Sequence, residues 1–167
     1  MMDSGIYMKP TRVFIHGLES SGMGTKGVFF RDKYPDMIIE DFVGAFKDRM
    51  EKLNEILSGK APLVLVGSSY GGLMAAVYAF NNEKSVKKII LLAPALDLLE
   101  FEPYMGRQLV LPVVIYHGGA DDVVSPSSVH GIARTVFANL EYHLVDDDHS
   151  LHRNFSLLNW DDLLETS

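Results

Sequence analysis

The stretch Leu63-Val64-Leu65-Val66-Gly67-Ser68-Ser69-Tyr70-Gly71-Gly72-Leu73-Met74-Ala75-Ala76-Val77-Tyr78-Ala79-Phe80 decides how this chain folds. It opens with a continuous apolar run of strand type. It closes with apolar residues at helical spacing, Leu73, Val77 and Phe80 among them. Between the two sits Gly67-Ser68-Ser69-Tyr70-Gly71, a Gly-x-Ser-x-Gly turn. A strand that turns directly into a helix must reverse sharply, and side chains at the flanking positions would collide with the strand or the helix. The serine then projects from the apex with a helix N-terminus behind it. Ser69 therefore reads as an exposed nucleophile. Taken alone, the motif also fits a loop serine that merely caps a helix.

Further strand-like runs lie on either side: Arg12 to His16, Met37 to Glu40, Lys88 to Ala93, Val113 to His117 and Glu141 to Val145. With Leu63 to Gly67 they make six. Several are nearly continuous apolar runs, as expected of strands covered on both faces. Helical patterns alternate with them. Phe46, Met50, Leu53 and Leu57 share one helix face, which stops at Ser58-Gly59-Lys60-Ala61-Pro62. Val129, Ile132, Ala133 and Val136 share another, opened by Ser125-Pro126. Thr25 to Lys33 reads as a helix, as does the C-terminal set Leu157, Trp160 and Leu164. One long interruption, Leu96 to Leu111, separates the fourth and fifth strands. Repeated strand–helix units with short loops predict a parallel sheet with helices on both faces.

Bulk properties bound the function. The chain has 167 residues, which suggests one domain spanning 1–167. An apolar content of 47% predicts a packed core. A formal net charge of −7 disfavours nucleic acid or an anionic membrane as partner. No apolar run reaches the ~20 residues needed to span a bilayer, and Met1 to Gly5 does not read as a signal peptide. The chain has no cysteine, which excludes disulfides, cysteine metal sites and a thiol nucleophile. A cytoplasmic protein fits these features best.

In an open parallel sheet, ligands bind at the C-terminal ends of the strands. Here those ends carry His16-Gly17-Leu18-Glu19-Ser20-Ser21, the Ser69 turn, His117-Gly118-Gly119-Ala120-Asp121-Asp122, and Asp146-Asp147-Asp148-His149. One edge thus supplies a glycine turn, a serine, acids and a histidine. On these residues the chain resembles the α/β-hydrolase superfamily in a minimal form. His16-Gly17 matches the family's oxyanion turn and Gly67 to Gly71 its nucleophile elbow. His117 to Val124 matches its His-Gly-x-x-Asp-x-x-Val pattern, and Asp148-His149 its Asp-His ending. His16 to Ser21 is also similar to small bacterial YqiA-like esterases.

The resemblance implies a three-layer α/β sandwich with a six-stranded, mostly parallel sheet in the order 2-1-3-4-5-6. The leading antiparallel strands and cap domain of larger members are missing. It implies Ser69 as nucleophile, His149 as base and Asp121 as the acid that orients it, with backbone N–H groups of Leu18 and Tyr70 forming an oxyanion hole. His152 and Asp122 are the rivals for base and acid. His16 and His117 are expected to make structural hydrogen bonds. Of the acidic run, Asp146 to Asp148 read as solvated rather than as metal ligands, because contiguous residues cannot easily point at one ion. In the long interruption, Phe101 and Met105 read equally as acyl-binding residues and as part of a core-covering helix.

The expected activity is hydrolysis of a small-molecule carboxylic ester or thioester through an acyl-enzyme, with no cofactor and no metal. A peptidase is disfavoured because an uncapped core offers little surface to grip an extended chain. A dehalogenase would carry Asp at the elbow. The reading from another class is a non-catalytic binding or scaffold protein. The oligomeric state stays open.

Overall fold

The structure, a computed structural model, describes residues 7–166. The expectation made for Met1 to Gly5 lies outside them. Six strands form one sheet: β1 Thr11–Ile15, β2 Ile38–Ile39, β3 Leu63–Ser68, β4 Val86–Leu92, β5 Val113–Gly118 and β6 Leu140–Val145. Their order is β2-β1-β3-β4-β5-β6, and each neighbouring pair is parallel. The helices are α1 Thr25–Lys33, α2 Phe46–Leu57, α3 Tyr70–Asn81, α4 Pro126–Val136 and the short α5 Trp160–Leu163. A 3₁₀ helix, Leu99–Tyr104, occupies the long interruption.

Strand periodicity sorts the core into two layers, because successive side chains leave a strand on opposite faces. Val13, Ile15, Leu63, Leu65, Ile89, Leu91, Val113 and Ile115 join α2, α3, α4 and Phe101 on one side. Phe14, Val64, Val66, Ile90, Leu92 and Val114 join Phe30 of α1 and the C-terminal Phe155, Trp160 and Leu163 on the other. The central strands are apolar throughout because both faces are covered. Helix α3 is buried on nearly all sides. It packs on the sheet and is flanked by α2 and the 3₁₀ helix.

The C-terminal end differs from the helix read in the sequence. Leu157 belongs to a separate 3₁₀ turn, Phe155–Leu157, and is 79% exposed. The Asn159 side chain accepts the Asp162 N–H at 3.3 Å and starts α5 afresh. Trp160 and Leu164 keep their core positions.

Register brings three strand ends level. Gly67 pairs with Ile15 on one side and with Leu91 on the other. The first turn of α3 then lies against the end of β1. A Cβ on Gly71 would come within 2.1 Å of the Ile15 carbonyl oxygen. Gly71→Ala must therefore push helix and strand apart. It is expected to lower unfolding free energy by at least about 2 kcal/mol in urea titration. A loss below about 0.5 kcal/mol would show that this approach is not a constraint.

Candidate active site

Ser69 links β3 to α3 with φ +55° and ψ −114°. Such a backbone costs a residue bearing a Cβ roughly 1–3 kcal/mol. The surroundings hold it there. The Ser69 N–H donates to Leu92 O at 2.8 Å, and its carbonyl accepts from Gly72, Leu73 and Ala95. The helix N-terminus behind the serine favours negative charge.

The hydroxyl meets His149, carried by the loop after β6. His149 Nε2 lies 3.0 Å from Ser69 Oγ, and Nδ1 lies 2.7 Å from Asp121 Oδ2. Asp121 sits in the turn after β5 with its side chain fully buried. Its Oδ1 accepts the N–H groups of Val123 and Val124, both at 2.8 Å. Burial pushes the Asp121 pKa up. The N–H of Val124, the bond to His149, the N–H of Val123 and the imidazole's charge outweigh that and hold the carboxyl below its usual value.

The two rivals lie elsewhere. Asp122 is exposed. The His152 side chain is 74% exposed and pairs with Asp148 at 2.5 Å, a contact that holds the Asp148 carboxyl down to about 2. His16 is buried and ties the turn after β1 to the segment after β2. It accepts the Phe42 N–H at 2.8 Å and donates to Gly17 O at 2.7 Å.

The Gly17 turn packs beside the serine, for a Cβ on Gly17 would sit 3.4 Å from Ser69 Cβ. Among the described residues, neither the Leu18 N–H nor the Tyr70 N–H has a protein acceptor. One of these free donors belongs to the turn after β1 that packs against Ser69, the other to the first residue of α3. No group of three or more His, Asp or Glu among the described residues is placed to hold a metal ion. A cleft of about 310 Å³ lined by Lys88, Val113, Asn139 and Glu141 lies at the opposite end of the sheet.

A strained serine on a strand–helix turn, joined through a histidine to a buried carboxylate on a 2-1-3-4-5-6 sheet, agrees with what sequence comparison finds. The family model described as serine aminopeptidase, S33 (Hydrolase_4) matches residues 15–107, more than half of the chain. The chain belongs to this family of α/β hydrolases. No curated protein matches its sequence. Among solved structures it is similar to mouse alpha/beta hydrolase domain-containing protein 10, with a TM-score of 0.77 and 20% identity over 94% of this chain and 90% of that one. It is also similar to an alpha/beta superfamily hydrolase from Oenococcus oeni, with a TM-score of 0.76 and 16% identity over 96% and 95%. Est1E from Butyrivibrio proteoclasticus superposes with a TM-score of 0.70 and 15% identity over 89% and 83%. At these identities the likeness speaks for the fold.

In this α/β hydrolase the structure decides between the two readings of Phe101 and Met105 and overturns that of Asp147. Phe101 has no exposed surface. It packs against Phe80 and Tyr104 over α3, with ring centroids 5.9 and 5.7 Å away. It is a core residue and cannot contact a substrate. The 3₁₀ helix turns this apolar position inward to cover α3. Met105 just beyond it is partly exposed, but it follows Tyr104, whose hydroxyl accepts from Asn81 at the end of α3 opposite Ser69, so it too stands away from the serine.

Asp147, read as solvated, is buried. It accepts the N–H groups of Asp148 at 2.9 Å, Arg153 at 3.1 Å and Asn154 at 2.8 Å, and the Asn154 amide at 2.8 Å. These bonds close the loop that carries His149, in which Leu151 adopts φ +55°. From α1, Lys26 Nζ reaches across to donate to Ser150 O at 2.7 Å. Burial lowers the Lys26 pKa, against the pull of the Asp148 and Asp147 charges. In the sequence, Asp147 is one of three consecutive aspartates. The only hint of its role is Asn154 at the far end of the loop.

Asp147→Ala would leave three backbone donors without their acceptor. It is expected to cost about 2–4 kcal/mol in urea unfolding, whereas Asp148→Ala stays within about 0.5 kcal/mol. Bonding lowers the folded pKa of Asp147 against the cost of burial. Its contribution is therefore complete above the unfolded carboxylate pKa of ~4 and is lost only as pH falls through the lower folded value. Equal losses in the two variants would contradict this role.

Proposed function

We propose that this α/β hydrolase is a serine hydrolase that cleaves carboxylic esters or thioesters through an acyl-enzyme. The observation that carries the reading is the hydrogen-bonded line from Ser69 Oγ through His149 to Asp121, with spans of 3.0 and 2.7 Å. A neutral hydroxyl is a weak nucleophile, so His149 takes the proton as Oγ attacks the carbonyl carbon. The imidazolium then protonates the departing alcohol or thiol. Asp121 keeps Nδ1 protonated, leaves Nε2 free to accept, and stabilises the charged ring. The tetrahedral oxyanion is received by the N–H groups of Leu18 and Tyr70. Water, activated by the same histidine, then releases the acid.

A second reading comes from the family's description as a serine aminopeptidase. The same attack cleaves an amide if the leaving amine is protonated, so esters and aminoacyl amides must be compared directly. A non-catalytic scaffold would need none of these groups in register. On the acyl side, Tyr70 and the segment after β4 are the available wall. Pro94 packs on Gly72, Ala95 bonds Ser69 O, and Leu98 is exposed. With Phe101 in the core and Met105 next to Tyr104, which bonds Asn81 at the far end of α3, Leu98 is the candidate acyl contact.

A fluorophosphonate probe should label Ser69. Ser69→Ala should remain folded and lose both labelling and hydrolysis of short p-nitrophenyl esters. Unchanged turnover in that variant would end the proposal. Labelling without turnover of either esters or aminoacyl p-nitroanilides would favour the scaffold.

His149→Ala should lower turnover by roughly 10³-fold or more, with little change for His152→Ala. Asp121→Asn should do more harm than Asp122→Asn, because an amide favours the wrong imidazole tautomer. Loss of activity in the His152 variant instead would move the base. Activity should decline with acyl length, since one methylene is worth only ~1–3 kcal/mol in such a site. Leu98→Ala should alter that decline more than it alters the shortest ester, whereas Met105→Ala should alter neither. A preference for long chains would contradict the proposed wall.

A further inference from the structure

Asp121 carries a second imidazole that the proposed chemistry does not use. His117, on β5, places Nε2 3.1 Å from Asp121 Oδ2, the same oxygen that receives His149 Nδ1 at 2.7 Å. The His117 side chain is fully buried. Its Nε2 also lies 3.1 Å from the Val124 carbonyl oxygen. Facing two acceptors, Nε2 must carry the proton. On the other side of the ring, Nδ1 is buried with no partner. Protonating it would bury an unsatisfied charged donor, which is far costlier than a bare lone pair. The ring is therefore neutral in the Nε2–H form. Burial acts in the same direction and lowers its pKa, against the opposing effects of Val124 O and Asp121, while the neighbouring His149 adds to the lowering.

We infer that His117 is a positioning residue for the site: its neutral Nε2–H pins the Asp121 carboxylate and limits how strongly that carboxylate holds a proton on His149. The inference rests on the Ser69–His149–Asp121 reading above. Each donor to a carboxylate disperses its charge and makes it a weaker partner for an imidazolium. Asp121 already accepts Val123 N–H and Val124 N–H on Oδ1. His117 adds a donor on Oδ2, where His149 binds. Without it, the same carboxylate would favour the protonated form of His149.

The other charged groups nearby are engaged elsewhere. Asp147 bonds its own loop, and Asp148 pairs with His152. Lys26 from α1 is held on Ser150 O, Arg153 pairs with Asp146, and Asp122 is exposed. His143 of β6 lies on Tyr116 and bonds Glu141. His117 is thus the titratable side chain besides His149 that bonds the carboxylate.

Nitrogen-15 NMR of the histidines in the intact protein tests this without requiring turnover. In the unaltered protein, His117 should stay an Nε2–H tautomer between about pH 5 and 8, and its signals should move with the His149 midpoint. A midpoint of its own in that range, or an Nδ1–H tautomer, overturns the inference, whatever the variants do.

His117→Phe should raise the His149 midpoint by roughly 0.5–1 unit. His117→Gln, whose amide can donate from nearly the same place, should return most of that shift. The acid limb of ester hydrolysis should move upward in parallel with the NMR midpoint. Loss of plateau rate with no movement of either midpoint is what structural damage would give, and it overturns the inference. Absence of fluorophosphonate labelling in the unaltered protein would instead sink the serine-hydrolase reading and leave the NMR result standing.

Discussion

The approach of α3 to the end of β1 is the constraint on which the rest of this molecule depends. Gly71 lies so near the Ile15 carbonyl that no side chain fits, and Gly67 is equally closed in by the Gly71 backbone. With helix and sheet that close, the one residue between β3 and α3 has no relaxed backbone available. Ser69 therefore takes a positive φ, and the core buried around α3 supplies the free energy that keeps it there. The same approach brings the Gly17 turn against the serine. The half-buried setting of Ser69 and the packing of the Gly17 turn against it are thus consequences of one packing decision.

The second half of the edge is organised around two buried carboxylates, and it works because both are saturated with donors. A buried ionised group without partners would neutralise itself or destabilise the fold. Asp121 accepts from two backbone N–H groups and two imidazoles, and Asp147 from three backbone N–H groups and an amide. Each carboxylate fixes a loop that has no regular structure of its own. Their loops also interlock, since Ala120 N–H donates to Asp147 O at 3.0 Å. The histidine and the acid it faces are held in one piece.

What the sequence made legible follows from how local each signal is. The elbow, the strands themselves and the faces of α2 and α4 are written in residues within one or two turns of each other, whereas the strand order came from the family resemblance. The placement of Asp121 and His149 came from a family pattern, and a hydrogen-bonded line now joins them to Ser69. Phe101 was ambiguous because an apolar residue in a long connection looks the same whether it faces a ligand or a core. Only its contacts with Phe80 of α3 decide. Leu157 was assigned to a helix by spacing, but Asn159 restarts the chain there, and capping can override periodicity. Asp147 was invisible because its partners are backbone groups, which every residue offers. His117 was read as structural, but its partner carboxylate could not be inferred from its place in a strand-end turn.

The bond between Lys26 and Ser150 joins residues 124 positions apart, and Ser69 meets His149 across 80. During synthesis, β1, β3 and β4 and their helices can pair long before residues 147–154 have left the ribosome. A nascent chain thus presents the elbow while the partner that would arm its hydroxyl is still untranslated. Whatever chemistry depends on the Ser69–His149 contact thus waits for the last part of the chain, after most of the sheet is in place.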